Sequence, residues 1–290
     1  MRYIDLHVHS NASDGTYRPD ELVRYAAAKN LAAFALTDHD TVSGLNEARN
    51  TALSLAPDSA PVKVIPGVEL SASYSSKDIH ILGLCIDDRS QAFCDALEHI
   101  LSERNQRNEK MIKNLADAGI DITMDKLLAS EGDAVLTRAH FAKYLTEHHY
   151  TRSVREAFIR YLSEDGPYYV SRKYLTPREA IALIRKAHGI PVLAHPLLYH
   201  LPDEELERLV GSLKEQGLAG LEAIYSSNTG YDEQNMKRLA ARYDLLITGG
   251  SDFHGSNKPQ LDLGCGKGNL KIPYTLLEAL EHWKESMENQ

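Results

Sequence analysis

The sequence predicts an α/β fold: a closed or nearly closed (β/α) barrel of about seven strands carrying an inserted helical block. Three observations point there. Short apolar runs alternate with amphipathic stretches of helical period, the pattern of successive βα units and a largely parallel sheet. About seven such runs suit a barrel better than an open doubly wound sheet. From about residue 91 to residue 169 the alternation stops, and helical stretches follow one another without strands. No GxGxxG follows the first run, which weakens a dinucleotide-binding reading.

In chain order, YIDLHVH (3–9) reads as a strand and PDELVRYAAAKN (19–30) as a helix with Pro19 in its first turn, where a missing N–H costs nothing. AAFALTDHD (32–40) is a strand with a polar end, GLNEARNTALSL (44–55) a helix, and VKVIPGVEL (62–70) and DIHILGLCI (78–86) are strands. AFCDALEHILSERNQRNEKMIKNLADAG (92–119) and RAHFAKYLTEHHY (138–150) form the helical insertion, placed to act as a lid. After it come TPREAIALIRKAHG (helix), IPVLAHP (strand), DEELERLVGSLKEQG (helix), LAGLEAIYS (strand), DEQNMKRLAARYD (helix), LLITGGSDFH (strand) and a last helix near YTLLEALEHWKESM. The division is therefore a barrel made of 1–90 and 170–290, with the insertion at 91–169. There are no repeats and no low-complexity tract.

The chain has 290 residues, 43% hydrophobic and 25% charged, which suits one large domain or one domain with an insertion. No signal-like leader and no bilayer-length apolar run is present, so a cytoplasmic protein with no membrane association is expected. Cys85, Cys94 and Cys265 have no paired spacing and read as reduced, small buried hydrophobes. The net charge of −9 argues against wrapping duplex DNA, which needs a basic face. The charge is unevenly spread. Residues 99–190 hold 15 Lys/Arg against 12 Asp/Glu, and the remainder 17 against 29. An acidic body that holds cations and a basic segment that meets an anion fit this split, as does plain solvated surface.

The strand ends carry the chemistry. HVH puts His7 and His9 on one side of a strand, because residues i and i+2 point the same way. Asp14 returns from the following Asn-Ala-Ser-Asp-Gly turn. On this stretch alone, a metal site and a merely polar strand face remain open. The next strands end in Asp38-His39-Asp40 and in Pro66-Gly67-Val68-Glu69, and the fourth begins Asp78-Ile79-His80. Later ones end in Ala194-His195-Pro196 and Ser251-Asp252-Phe253-His254. Strand ends meet on one face of such folds. Six histidines and three carboxylates at matching ends therefore converge, and imidazole with carboxylate but no thiolate suits Mn, Fe, Zn or Co better than Mg or Ca. Asp38 and Asp40 flank His39 and are placed to orient imidazoles; ordinary strand-end polarity is the alternative. His99, His148, His149, His188, His200 and His282 lie off the pattern and read as structural or surface residues.

HxH, SDG, TDHD, PGVE, an isolated His, AHP and SDFH, in this order from residue 7 to residue 254, resemble the PHP superfamily of polymerase-associated and histidinol-phosphatase-like phosphoesterases. The resemblance implies a distorted seven-stranded (β/α) barrel and three divalent ions, most often Mn²⁺. Carried over by motif, one ion would take His7, His9, Glu69 and Asp252. A second would share Glu69 and add His80 and His195, and a third would take Asp14, His39 and His254. A metal-bound hydroxide held by Glu69, Asp252 and His195 is the expected nucleophile. Within the superfamily, TRAHF and PYYVSRKY resemble a bacterial branch of 3′,5′-nucleoside bisphosphate phosphatases that also act as 5′-to-3′ exonucleases on short RNA.

That branch makes Arg138 and His140 the first candidates for substrate binding, followed by Arg172 and Lys173, since arginine forks onto phosphate. Tyr168 and Tyr169 would stack on a base, with core packing the alternative. Ser10 would touch phosphate or cap its turn. Arg104, Arg107, Arg152, Arg155 and Arg160 read, for the most part, as solvated helix faces. The expected partner is a nucleotide or short single-stranded RNA, with no obligate protein partner. A small-metabolite phosphatase, such as one for histidinol phosphate, is the alternative; it needs no base platform. A non-catalytic metal-binding regulatory module is a third reading, disfavoured because no ligand position is missing.

Overall fold

The computed structural model describes residues 2–55, 62–75, 77–131, 134–163, 166–171 and 175–288. Its seven strands, β1 (Ile4–Val8), β2 (Ala33–Leu36), β3 (Lys63–Tyr74), β4 (Lys77–Leu84), β5 (Ile190–Leu193), β6 (Gly220–Tyr225) and β7 (Leu246–Gly250), lie side by side in chain order. The helices are α1 (Pro19–Ala28), α2 (Leu45–Leu55), α3 (Gln91–Asp117), α4 (Met124–Glu131), α5 (Arg138–Glu147), α6 (Val154–Ala157, continued by a π turn), α7 (Pro177–Lys186), α8 (Asp203–Glu215), α9 (Asp232–Arg242) and α10 (Thr275–Glu288).

β1, β2 and β3 are mutually parallel, and so are β5, β6 and β7. β4 runs antiparallel to both its neighbours, the exception in a sheet that is otherwise parallel, as the sequence predicts. The reason is chain length. A parallel crossover needs a dozen or more residues, and β3 passes to β4 between Tyr74 and Lys77. The reversal has a consequence for the site: the beginning of β4, not its end, meets the carboxyl ends of the other strands.

The barrel closes where the chain leaves β7. Val8 bridges Phe253 in parallel, the Asp252 amide donates to the His7 carbonyl (2.9 Å), and the His9 amide donates to the Phe253 carbonyl (3.0 Å). Gly250 permits this approach: a Cβ there would lie 2.2 Å from the Cβ of His7.

Local sequence explains the outer helices. α7 starts with a capping box, the Thr176 hydroxyl accepting from the Glu179 amide while the Glu179 carboxylate accepts from the Thr176 amide, and Pro177 sits in its first turn. Ala180, Ile181 and Ile184 then fall on one face and are buried. Each buried isoleucine contributes about 1.5–3 kcal/mol of transfer free energy. Burial also pushes the Cys85 thiol up to about 11. Among the described residues no helix is long and apolar enough to cross a membrane.

α3 belongs to two cores. Phe93, Leu97 and Ile100 pack with Ile181 and Ile184 against the barrel, whereas Met111 and Leu115 join Ile122, Phe141, Leu145 and Leu162 in a separate cluster within the helical block. At 1.5 Å per residue, its 27 residues extend about 40 Å. The helix thus starts on the barrel flank and carries the block out over the barrel mouth.

Candidate metal centre

The nine strand-end residues meet at one mouth of the barrel. His7 lies on β1 and His9 just beyond it, and Asp14 follows in the turn. His39 follows β2 and bridges Glu69 of β3, while His80 stands near the start of β4. His195 follows β5, and Asp252 and His254 follow β7.

Glu69 is the hub. Its Oε1 lies 2.8 Å from His80 Nδ1 and 3.0 Å from His195 Nε2. Its Oε2 lies 3.3 Å from His7 Nε2, 3.1 Å from His9 Nε2 and 3.2 Å from His39 Nδ1. Asp252 Oδ1 faces His7 Nε2 (3.7 Å), His9 Nε2 (3.6 Å) and His254 Nδ1 (3.3 Å). Asp14 Oδ1 lies 3.1 Å from His254 Nε2 and 3.7 Å from His9 Nδ1, and its Oδ2 lies 3.7 Å from His39 Nε2.

These donors fit divalent cations. The Nε2 atoms of His7 and His9 are 3.1 Å apart and both lie against Glu69 Oε2. With metal–ligand bonds of about 2.1 Å, atoms sharing one ion stand about 3.0–3.4 Å apart. In three groupings one donor atom from each residue lies within 4.8 Å of the others, near enough to close on one ion: His9, Asp14, His39 and His254; His7, His9 and Glu69; and His39, Glu69 and His80. They overlap the partition implied by the family resemblance but place His9 with Asp14 and His39 with Glu69 as well. His39 Nδ1 is buried, and among the described residues it makes no contact of hydrogen-bond geometry, its 3.2 Å approach to Glu69 Oε2 included.

Electrostatics prepares the donors. Burial alone would raise the three carboxylates, but His80, His39 and His7 hold Glu69 well below the usual range. His39 and His254 do the same for Asp14, and Lys258, His254 and His7 for Asp252. Burial pushes His9 down and takes His39 to about 3, leaving neutral imidazoles with free lone pairs. For His7 burial works downward, yet Glu222, Glu69 and Asp252 together raise it well above its ordinary value.

Sequence reasoning missed the groups behind this cluster. Glu222 on β6 is buried; its Oε1 lies 3.0 Å from His7 Nδ1, and its Oε2 accepts from the His195 amide at 2.7 Å. A proton on His7 Nδ1 then leaves Nε2 facing the other donors. The signal was available as the one carboxylate in LAGLEAIYS. Glu222→Gln keeps the size but offers one acceptor to two donors. It should weaken Mn²⁺ binding about tenfold in a calorimetric titration. Asp5 accepts from the Ser251 amide (2.8 Å) and the Gly264 amide (2.8 Å), fixing the loop that carries Asp252. Tyr225 (2.7 Å) and Lys258 (2.6 Å) donate to Asp252 Oδ2.

Several expected roles change. Asp38 accepts from the Ser10 amide (2.8 Å), the Ser10 hydroxyl (2.6 Å) and the Ser13 hydroxyl (2.6 Å); it builds the turn between His9 and Asp14. Ser10 is fully buried with its hydroxyl on Asp38, which gives it the turn-shaping role of the two the sequence left open. Asp40 accepts from the Ser71 amide (3.1 Å) and forms a buried ion pair with Arg104. Arg104 and Arg107 are not solvated: they are 4% and 3% exposed. Their turn of α3, SERNQRNE, has no apolar cue to reveal the buried face.

A cavity of about 170 Å³ opens beside the cluster, with Asp14, His39 and His80 on the barrel side and Arg104, Arg107 and Arg138 on the other. Arg138 donates to Asp78 (3.2 Å), and its guanidinium carbon lies 5.7 Å from the centre of the Tyr169 ring. His140 is buried, and its Nδ1 accepts from the Thr137 amide (2.9 Å), closing the cap of α5. Tyr168 stacks on Tyr161 (5.6 Å) within the helical block. Arg172 and Lys173 lie outside the described residues.

Fold and site together define a class, an α/β-barrel hydrolase whose mouth is built for divalent cations. The chain belongs to the PHP domain family, whose model matches residues 5–175. It is 34% identical over 265 residues to a 3′,5′-nucleoside bisphosphate phosphatase of Chromobacterium violaceum, covering 91% of each chain. It is 35% identical over 252 residues to a 5′-3′ exoribonuclease of Haemophilus influenzae, covering 86% of this chain and 89% of that one. The solved structure of an amidohydrolase from Chromobacterium violaceum, with bound sulfate and no metal, superposes with a TM-score of 0.85 at 33% identity over 97% of this chain and 96% of that one. In family and fold the chain is a metal-dependent phosphoesterase.

Proposed function

We propose that this chain hydrolyses the 3′-phosphate of 3′,5′-bisphosphonucleotides, for example adenosine 3′,5′-bisphosphate to AMP and phosphate, and releases 5′-mononucleotides from short RNA in the 5′-to-3′ direction. The observation that carries the reading is the arginine-lined cavity beside the cluster: Arg104, Arg107 and Arg138 line it, and although Asp40 holds Arg104 and Asp78 holds Arg138, their forked guanidinium groups carry further donors for a second anion beyond the one the cluster would take. A histidinol phosphate has no second anion to place there. The names of the two relatives point the same way.

Three divalent ions are proposed, Mn²⁺ first and Fe, Zn or Co next. His7, His9, Glu69 and Asp252 would hold one, Glu69, His80 and His195 a second, and Asp14, His39 and His254 a third. When bound, such ions lower the pKa of a coordinated water and neutralise charge on the phosphate. The chain's own residues do the rest. Glu222 holds the His7 ring in one tautomer. Tyr225 and Lys258 hold Asp252 Oδ2, leaving Oδ1 toward the imidazoles. Arg138 presents its fork to substrate phosphate, and Tyr169 offers a ring face to a base. The block at 91–169 is the lid that brings Arg138 over the barrel.

Phosphate release with Mn²⁺, measured on adenosine 3′,5′-bisphosphate beside histidinol phosphate, tests the reading. Selective release of the 3′-phosphate is expected; selective turnover of histidinol phosphate overturns it. Arg138→Ala should raise KM for the bisphosphonucleotide about 10–100-fold, the loss of a charged hydrogen bond, with metal content unchanged. Full activity in that variant would remove Arg138 from the substrate site.

A further inference from the structure

We infer that Thr137 is a positioning residue that couples the insertion to the metal centre, so that cation loading and docking of the segment bearing Arg138 strengthen each other. The inference rests on Asp14 being a metal ligand, as proposed above.

Thr137 stands at the boundary of the two parts. It precedes Arg138 as the N-cap of α5, and its hydroxyl accepts from the Ala139 amide (3.1 Å). The hydroxyl has one proton to give. His140 Nδ1 lies 3.4 Å away and already accepts from the Thr137 amide at 2.9 Å. Asp14 Oδ2 lies nearer, at 3.1 Å, and the proton goes there. The contact is buried at both ends, with Thr137 6% and Asp14 5% exposed. A second tie runs alongside it, the Val135 amide donating to the Ala12 carbonyl (3.0 Å) in the turn that carries Asp14.

Asp14 is thus held from two sides. Its Oδ1 faces His254 at 3.1 Å, among the donors grouped with His9 and His39, and its Oδ2 belongs to the insertion. A hydrogen bond that fixes a ligating carboxylate typically changes metal affinity 10–100-fold. Coupling between sites is reciprocal, so the cation must stabilise the docked insertion by the same factor. The next residue is Arg138, so substrate recognition is tied to cation occupancy through one hydroxyl.

Thr137→Val keeps the shape and removes both hydrogen bonds; Thr137→Ser keeps them. Two quantities are read for wild type and both variants, with Mn²⁺ alone as the probe: its calorimetric affinity, and amide exchange over residues 134–147 with and without it. In wild type, Mn²⁺ should slow exchange in this segment. In Thr137→Val the affinity should fall about tenfold and the Mn²⁺-dependent slowing should disappear, with both restored in Thr137→Ser. If Thr137→Val exchanges faster by the same factor with and without Mn²⁺, and keeps its affinity, Thr137 is a helix cap only and the inference is overturned. If Thr137→Ser fails like Thr137→Val, the hydroxyl is not the coupling element. Wild type that takes up no Mn²⁺ defeats the metal reading itself, before any variant is compared.

Discussion

Glu69→Ala is expected to lower kcat/KM for the bisphosphonucleotide by at least about 10³ and to strip most of the bound metal. Five imidazoles converge on this one side chain, at 2.8–3.3 Å from its two oxygens. Among the described residues at the mouth, no other faces as many imidazoles. Removing the carboxylate takes away charge that would balance the cations and a residue that two of the three groupings share. Glu69→Gln separates charge from shape: it fills the same volume and should lose nearly as much activity. Metal content by mass spectrometry, steady-state rates and a thermal unfolding curve on the same preparations decide the matter. A folded Glu69→Ala protein with wild-type metal content and rate would refute the proposed centre. The same cluster sets the pH dependence of loading. In the metal-free protein His7 binds its proton more tightly than a free histidine, through Glu222, Glu69 and Asp252 acting against burial. A cation must expel that proton, so apparent Mn²⁺ affinity should fall as pH falls through neutrality, with measurable proton release on loading.

Most of the cluster of candidate ligands could be read from the sequence because strand ends are its address. Histidines and carboxylates at the tips of apolar runs stand out against their neighbours, and the barrel brings tips together. His80 fitted only as the beginning of a run; the antiparallel direction of β4 explains why that position belongs with the others. What lay behind the cluster was harder to read. Glu222 and Asp5 sit inside buried strands, where partners from other strands decide whether a carboxylate is tolerated. Asp38 and Asp40 were visible as polar neighbours of His39, but their partners, Ser10, Ser13 and Arg104, come from elements whose packing no spacing reveals. The arginines of α3 show the limit most clearly. A charged residue on a long helix is ordinarily solvated, and only the docking of the helix across the barrel mouth turns Arg104 and Arg107 inward.

That docking yields the second large expected effect. Asp40→Ala should destabilise the fold by about 3–5 kcal/mol, because it leaves the Arg104 guanidinium buried beside a lost carboxylate. This is a large share of a typical domain's 5–15 kcal/mol. Asp40 is fully buried, its amide donates to the Glu69 carbonyl (3.0 Å), and Arg104 also donates to the Ser71 hydroxyl (3.2 Å). The ion pair therefore ties α3 to the segment after β2, and through Ser71 and the Glu69 carbonyl to β3 beside the hub residue. Part of the loss has another source: Asp40 has φ 52°, a left-handed conformation that costs alanine roughly 1–2 kcal/mol. Asp40→Asn tolerates that conformation and can still accept from the Ser71 amide, so its loss isolates the charge. Denaturant unfolding of Asp40→Ala, Arg104→Met and the double variant forms a cycle. The double variant should be more stable than Asp40→Ala, since removing both charges leaves nothing buried and unpaired. Strict additivity would mean the two residues do not stabilise one another. Activity should behave differently from stability. Arg104 also lines the cavity, so the double variant, though refolded, should keep a raised KM for the bisphosphonucleotide, because the clamp and the anion site share this arginine.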